Sequence, residues 1–369
     1  MSFLRRQESF CNKLNRLDNI MKIAVLVSGG VDSSVALHLL KKQGYDLEAF
    51  YLKIWLEDEM SFLGECPWEE DLSYAKKVCQ QCDVKLNVVS MQKEYHDKVV
   101  SYTIDAVKTG LTPNPDMLCN REVKFGAFYD KYGKDFDKIA TGHYAQIEEL
   151  SNGEVRLMRA PDPVKDQTYF LAMMRQEQLQ KAIFPIGFMQ KKQVREYALE
   201  NNLATAKRKD SQGICFLGKI SFRDFIKEHL GTKKGKFIEK ETGEELGEHD
   251  GFYFYTIGQR RGVDINGGPW YVCDKDVKKN IVYLSHGFAG NDQSRDTFEV
   301  TGLNWISGIP TKKELQVKLR HGEMFYDCTI KVNDKNVLVK LHKKDRGITP
   351  GQYAVFYDGQ QCLGGGVIV

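Results

Sequence analysis

Two groups of residues in this chain have the types and spacing to do chemistry. The first is Ser28-Gly29-Gly30-Val31-Asp32-Ser33. Paired glycines let a backbone approach an oxyanion closely, and a helix starting just after them turns unpaired N–H groups and its positive dipole end toward the same point. Together these describe a phosphate cradle. No Gly-Lys-Ser/Thr follows, so it is not the P-loop of kinases and GTPases. The second is Thr112-Pro113-Asn114-Pro115-Asp116-Met117-Leu118-Cys119-Asn120. Its prolines fix the backbone and bar helix before Asp116, which holds Asp116 three residues from Cys119. A thiol at a helix N-terminus has its thiolate favoured. Another thiol, Cys215, lies in Asp210-Ser211-Gln212-Gly213-Ile214-Cys215-Phe216-Leu217-Gly218. A carboxylate and two thiols downstream of a nucleotide loop make a plausible sulfur-handling set. Cys79-Gln80-Gln81-Cys82 is the only C-x-x-C, and with no second ligand pair nearby it does not read as a zinc site.

These residues need rigid elements beneath them. Lys22 to Val27 is an apolar, β-branched run that reads as a buried strand, and Asp32 to Gln43 carries Val35, Ala36, Leu39 and Leu40 at helical spacing. Strand and helix then alternate: strands at Leu47 to Ile54, Val84 to Ser90 and Lys138 to Thr141, and helices at Trp68 to Gln81 and around Tyr95 to Lys108. Another helix follows the loop from Leu111 to Leu118. The pattern predicts an α/β, doubly wound parallel sheet with ligands at the carboxyl ends of its strands. A hairpin is expected over Ala145 to Ala160, and helices at Asp166 to Met174, Lys191 to Asn202 and Phe222 to Leu230. Glycine-punctuated, aromatic strands come next (Lys236 to Ile238, Gly251 to Thr256, Trp270 to Val272, Ile281 to Leu284). Six more, from Phe298 to Val369, suggest a small β-barrel. The expected division is a tail over 1–20, an α/β domain over 21–219, a central β-rich domain over 220–284 and a C-terminal β-barrel over 285–369.

With 42% hydrophobic and 28% charged residues, 369 residues are ample for a folded core. No apolar run approaches a membrane span. The net charge of +3 does not by itself argue for a nucleic-acid partner, so a local basic face is required. Nine cysteines form no dense framework, which points to a reducing, cytoplasmic setting. The first twenty residues lack the apolar stretch of a secretory signal. They read as a disordered tail or an upstream start, with Glu8 and Asp18 counting against an organelle leader.

The glycine-rich string resembles the PP-loop of ATP pyrophosphatases, which holds the β- and γ-phosphates of ATP as a leaving pyrophosphate. S-G-G-V-D-S, T-P-N-P-D-x-x-C-N, T-G-H-Y-A, K-D-Q-T-Y-F-L, D-S-Q-G-I-C-F-L-G and F-Y-T-I-G-Q-R-R-G, in this order, resemble the tRNA-specific 2-thiouridylase family from about Lys22 to the C-terminus. The resemblance implies that Leu26, Val27, Ser28, Gly29, Gly30, Val31, Asp32, Ser33, Leu52 and Gly142 bind ATP, with Mg2+ expected. Leu52 stands where the family more often has methionine, a volume-conserving change. Asn114, Pro115 and Asp116 would meet a flipped-out base, with Asp116 as general acid/base. His143, Lys165, Asp166, Gln167, Arg320, His321 and Gln352 would contact tRNA. The run around Arg320 lacks the family's second arginine, so one phosphate contact is in doubt.

The resemblance also implies the reaction. ATP adenylates the C2 oxygen of the wobble uridine, and Cys215 carries a persulfide sulfur from an upstream donor. That sulfur reaches C2 either directly or as hydrogen sulfide released when Cys119 attacks Cys215, leaving a Cys119–Cys215 disulfide. The expected enzyme is a monomer. The rival reading is another PP-loop ligase that adenylates a small carbonyl or carboxylate metabolite and needs neither cysteine. A variant within the family's chemistry is an iron–sulfur cluster on Asp116, Cys119 and Cys215.

Overall fold

In β1 (Lys22–Leu26) the side chains alternate between two buried faces. Ile23 and Val25 pack into one apolar cluster, and Ala24 and Leu26 into another. This strand is the middle of the sheet in the computed structural model of the chain, which describes residues 20–54, 68–210, 221–286, 295–345 and 347–369. The N-terminal tail to Asn19 and the stretch Ser211 to Ile220, Cys215 included, lie outside the described residues.

The elements that build the first sheet are α1 (Val31–Lys42), β2 (Asp46–Lys53), α2 (Trp68–Gln81), β3 (Lys85–Ser90), α3 (92–108), α4 (115–131) and β4 (Lys138–Ala140). A hairpin, β5 (Ala145–Glu149) and β6 (Val155–Arg159), separates these from the edge strand β7 (Ala182–Ile183) and α5 (Lys191–Glu200). The sheet is wholly parallel, ordered β3-β2-β1-β4-β7. The expected helix over Asp166 to Met174 shrinks to Thr168–Leu171.

After α6 (Phe222–Leu230), a small sheet forms from β8 (Gly235–Glu239), β9 (Glu245–His249), β10 (Tyr271–Asp276) and β11 (Ile281–Ser285) in the order β10-β11-β8-β9. The aromatic run expected as a strand at Gly251 to Thr256 is instead a short 3-10 turn at Phe252–Phe254. Its rings are used for packing: Phe252 and Tyr255 fill the core of this sheet with Trp270 and Val272. β9 was not expected from the sequence, because Glu245-Leu246-Gly247-Glu248-His249 has little of a strand's composition.

Six antiparallel strands close the C-terminal barrel: β12 (Arg295–Trp305), β13 (Glu314–Lys318), β14 (Tyr326–Val332), β15 (Asn336–Asp345), β16 (Tyr353–Asp358) and β17 (Gln361–Ile368). Pairing of β12 with β17 makes the closure, around a core that includes Phe298, Val300, Val317, Val339 and Phe356. The hairpin β5–β6, which precedes β7 in sequence, extends this sheet rather than the parallel one. Cys362 of β17 pairs with Leu157 of β6.

At that junction Lys318 is 0% and Asp166 1% exposed. Lys318 Nζ lies 3.3 Å from Asp166 Oδ2, and Arg159 Nε 3.5 Å from the same oxygen. Thr168 Oγ1 donates to Asp166 Oδ1 at 2.9 Å. Removing Lys318 would leave the buried carboxylate with only the more distant Arg159 of these two cations. Lys318→Met is therefore expected to lower unfolding stability by about 3 kcal/mol, measured as a shift of the denaturant midpoint. An unshifted midpoint would exclude the pair as a stabilising contact.

Candidate active site

The turn after β1 is tight for a stated reason. Gly29 has φ +74°, and a Cβ there would sit 2.1 Å from the carbonyl oxygen of Asp71. The turn is tied internally: Ser33 Oγ accepts from the Ser28 N–H at 3.2 Å and donates to the Gly30 carbonyl at 3.1 Å. Ser34 Oγ donates to the same carbonyl at 2.8 Å. Leu26, Val27 and Val31 are buried, so only their backbones can face a ligand. Gly142, beyond β4, closes the other side, where a Cβ would lie 2.6 Å from the Ser33 nitrogen. Half-buried Leu52, next to the last residue of β2, packs against the cluster that holds Ala24 and Leu26. The cradle, Leu52 and Gly142 thus gather at the carboxyl ends of β1, β2 and β4.

Sequence reasoning missed a charged network beneath the cradle. Asp32 accepts from the Tyr144 hydroxyl at 2.7 Å and from Lys191 Nζ at 2.7 and 2.8 Å. Lys191 also lies 2.9 Å from Asp210, which takes a bond from Lys165 at 3.0 Å and pairs with Arg195. Burial alone would raise the Asp210 pKa, but the hydrogen bonds from Lys191 and Lys165 outweigh it and hold it well below the usual carboxylate range. Arg208 donates to the Gly29 carbonyl at 2.7 Å and pairs with Asp71. The residues just before the Cys215 motif are therefore tied to the phosphate turn. The basic run Lys207-Arg208-Lys209 was the only local signal of this, and Lys191 gave none. Lys191→Met removes the cation shared by two carboxylates, and is expected to weaken binding of ATP, the ligand that the resemblance implies, roughly tenfold. Equilibrium titration with ATP checks this, and an unchanged affinity would count against it.

The second constellation shares a core cluster with the first strand, through Met117, Cys119 and Leu26. Asn114 is extended (φ −121°, ψ 94°), and Pro115 takes the first helical position, where its missing N–H costs nothing. The helix therefore begins before Asp116, in the loop expected to run to Leu118. Asp116 sits in the first turn and Cys119 one turn deeper, 2% exposed. Cys119 is thus not the terminal thiol that the sequence suggested, and the dipole argument applies to it only weakly. Asn114 lies against the Tyr169 hydroxyl, which donates to the Tyr353 carbonyl at 3.1 Å. Asn120 Nδ2 donates to the Phe170 carbonyl at 3.2 Å, and Lys124 Nζ to Asn120 Oδ1 at 3.1 Å.

Of the residues expected on tRNA, His143 is half-buried, with Nδ1 2.7 Å from Thr141 Oγ1. Burial, and then the Lys124 ammonium, hold its imidazole neutral. His321 stacks on Phe170 at 4.6 Å, and burial and then Lys318 lower its pKa. Arg320 reaches both carboxylate oxygens of Asp345, at 3.3 and 3.2 Å. Lys165 bonds Asp210, and Gln167 Oε1 accepts from the Tyr144 N–H at 3.0 Å. Asp166 is enclosed, so its carboxylate does not face solvent. Gln352 Nε2 donates to the Thr112 carbonyl at 3.1 Å. Arg320, Gln352 and Thr112 line a cleft of about 970 Å³ together with Thr256, Gly258, His342 and Lys343.

Three family models match in sequence: the tRNA methyl transferase HUP domain over 21–219, the tRNA methyl transferase PRC-barrel domain over 223–286, and the aminomethyltransferase beta-barrel domain over 295–368. Across 95% of its length the chain is 48% identical to the tRNA-specific 2-thiouridylase MnmA of Parabacteroides distasonis, covering 99% of that protein. The chain belongs to the tRNA-specific 2-thiouridylase family. The Porphyromonas gingivalis member is 45% identical, over 94% of this chain and 99% of its own. A Bacteroides fragilis member, MnmA 2, is 44% identical over 94% and 100%. In this 2-thiouridylase family member the α/β sheet, central sheet and closed barrel agree with the fold class that the motifs implied. No helix among the described residues is long and apolar enough to cross a membrane.

Proposed function

We propose that the chain replaces the C2 oxygen of the wobble uridine of tRNA with sulfur at the expense of ATP. The phosphate turn holds the β- and γ-phosphates and leaves the α-phosphorus open to the uridine O2. Attack there forms the C2–O–AMP adenylate and releases pyrophosphate. An amide-like oxygen is a very poor leaving group, and as AMP it becomes a good one. The residues fit a magnesium–triphosphate complex: Mg2+ takes hard oxygen donors, and the partly exposed Asp32 carboxylate beside the cradle, here bonded to Lys191 and Tyr144, would supply one. Bound there, the cation would neutralise charge building on the phosphates.

Asn114 and Asp116 meet the uridine after it leaves its stack, and Asp116 moves the proton. Cys215 carries the persulfide. Cys119 thiolate attacks the Cys215 sulfur, so a Cys119–Cys215 bond forms as hydrosulfide leaves. That sulfide adds to C2, and AMP departs with the electrons of the C–O bond. A thiol reductant then supplies two electrons to reopen the disulfide. The sulfur reaches Cys215 from a donor protein, and the enzyme works as a cytoplasmic monomer.

The reading rests above all on one observation: near-full-length likeness to 2-thiouridylases in a chain whose phosphate turn is built for close anion approach. The test is the mass of tRNA nucleosides after incubation with ATP, Mg2+ and a persulfide source. One sulfur-for-oxygen exchange at the wobble uridine, lost in Cys215→Ser, is expected. Adenylation of a small metabolite with tRNA left unchanged would overturn it.

A further inference from the structure

The loop before Asp116 is held from behind by both of the smaller domains. Its backbone carries three outward bonds at two residues. Lys275 of β10 donates to the Gly110 carbonyl at 2.7 Å, and also to the Tyr255 carbonyl at 3.2 Å within its own domain. The Thr112 N–H donates to the Pro350 carbonyl at 3.0 Å, and Gln352 Nε2 donates to the Thr112 carbonyl at 3.1 Å. The fit is close at both points. A Cβ on Gly110 would meet Val277 Cγ2 at 2.6 Å, and one on Gly351 would meet the Thr112 nitrogen at 2.7 Å. One residue further along, the Tyr353 carbonyl accepts from Tyr169, whose hydroxyl lies against Asn114.

A loop with two prolines has few internal hydrogen bonds to fix its place. Here both backbone groups of Thr112 are spent on the barrel, and Gly110 on a lysine of the central sheet. We infer that Lys275 and Gln352 are positioning residues for the thiolation reaction, setting where the 112–116 loop presents Asn114 and Asp116 to the uridine. Neither touches the reacting atoms. Both act through the backbone between Gly110 and Thr112. Thr112 and Gln352 also line the 970 Å³ cleft, so RNA lying in that cleft rests against the clamp itself.

The inference rests on the 2-thiouridylase reading, and the experiment separates the two. Full-length wild type, Lys275→Met, Lys275→Arg and Gln352→Ala are assayed for 2-thiouridine at varied tRNA and ATP. Hydrogen exchange of the peptide spanning 109–118 is followed in the same samples. A misplacement of about 1 Å can cost on the order of 100-fold in rate. Lys275→Met and Gln352→Ala are therefore expected to lower kcat at least tenfold, with little change in the KM for ATP and, for Lys275→Met, in the KM for tRNA. Exchange at Thr112 should quicken, while the rest of the chain keeps wild-type protection. Lys275→Arg still donates to a carbonyl and should restore most of kcat. An unchanged kcat in both truncations overturns the inference, as does a loss that falls wholly on the KM for tRNA, which would make Gln352 an RNA contact. If the wild type makes no 2-thiouridine the functional reading fails, and the exchange data still decide whether these residues hold the loop.

Discussion

Cys119→Ser is expected to lower the rate of 2-thiouridine formation by on the order of 1,000-fold or more, because a serine hydroxyl cannot attack a persulfide at neutral pH. ATP binding should remain intact. The substitution is nearly isosteric at a site 2% exposed in the apolar cluster that holds Ala24 and Leu26, so the fold should accept it. The cradle is built on β1 and α1, separate from the helix that carries Cys119. The measurement is single-turnover thiolation beside calorimetric titration with ATP. Pyrophosphate release without thiolation in the variant would place Cys119 after adenylation. A variant retaining half the wild-type rate of 2-thiouridine formation would remove Cys119 from the mechanism.

Gly29→Ala should be nearly as damaging, by another route. A side chain at φ +74° is strained in itself, and its Cβ would drive into the Asp71 carbonyl oxygen at 2.1 Å. The obstacle is backbone in the first turn of α2, so it cannot be relieved by rotating a side chain. Either the turn opens or α2 retreats, and both shift the N–H groups meant for the phosphates. A displacement of about 1 Å there should weaken ATP affinity on the order of 100-fold. Affinity for tRNA should change little. Equilibrium titration with each ligand separately checks the split, and equal losses for both would point to general unfolding.

How much could be read from the sequence differed by scale. Elements with strong local pattern were legible: the β-branched run at Ile23 to Val27, the amphipathic helix at Trp68–Gln81 and the strand at Tyr326–Val332 fall where expected. The aromatic run Phe252 to Tyr255 misled, because ring-rich composition is shared by strands and by turns that pack rings into a core. The loop expected to run to Leu118 ends at Asn114, because Pro115 opens the helix, and that puts Cys119 a turn inside it. Long-range pairings gave no signal. Nothing near Lys275 says that it will reach Gly110, and nothing near Lys318 says that its ammonium will be buried against Asp166. Burial shifts Lys275 down to about 8 against the smaller opposing pull of Asp274, a property its neighbours in sequence do not advertise.

The hairpin β5–β6 has a consequence for how this architecture can be cut or shuffled. It is encoded between two strands of the parallel sheet, yet its outer partner is the last strand of the chain. A gene trimmed at the end of the nucleotide-binding segment would leave β6 with a bare edge at Leu157 and Met158, open to pairing with other molecules. Recombination that grafts a foreign barrel onto this scaffold would have to bring a matching final strand, or carry the hairpin across with it.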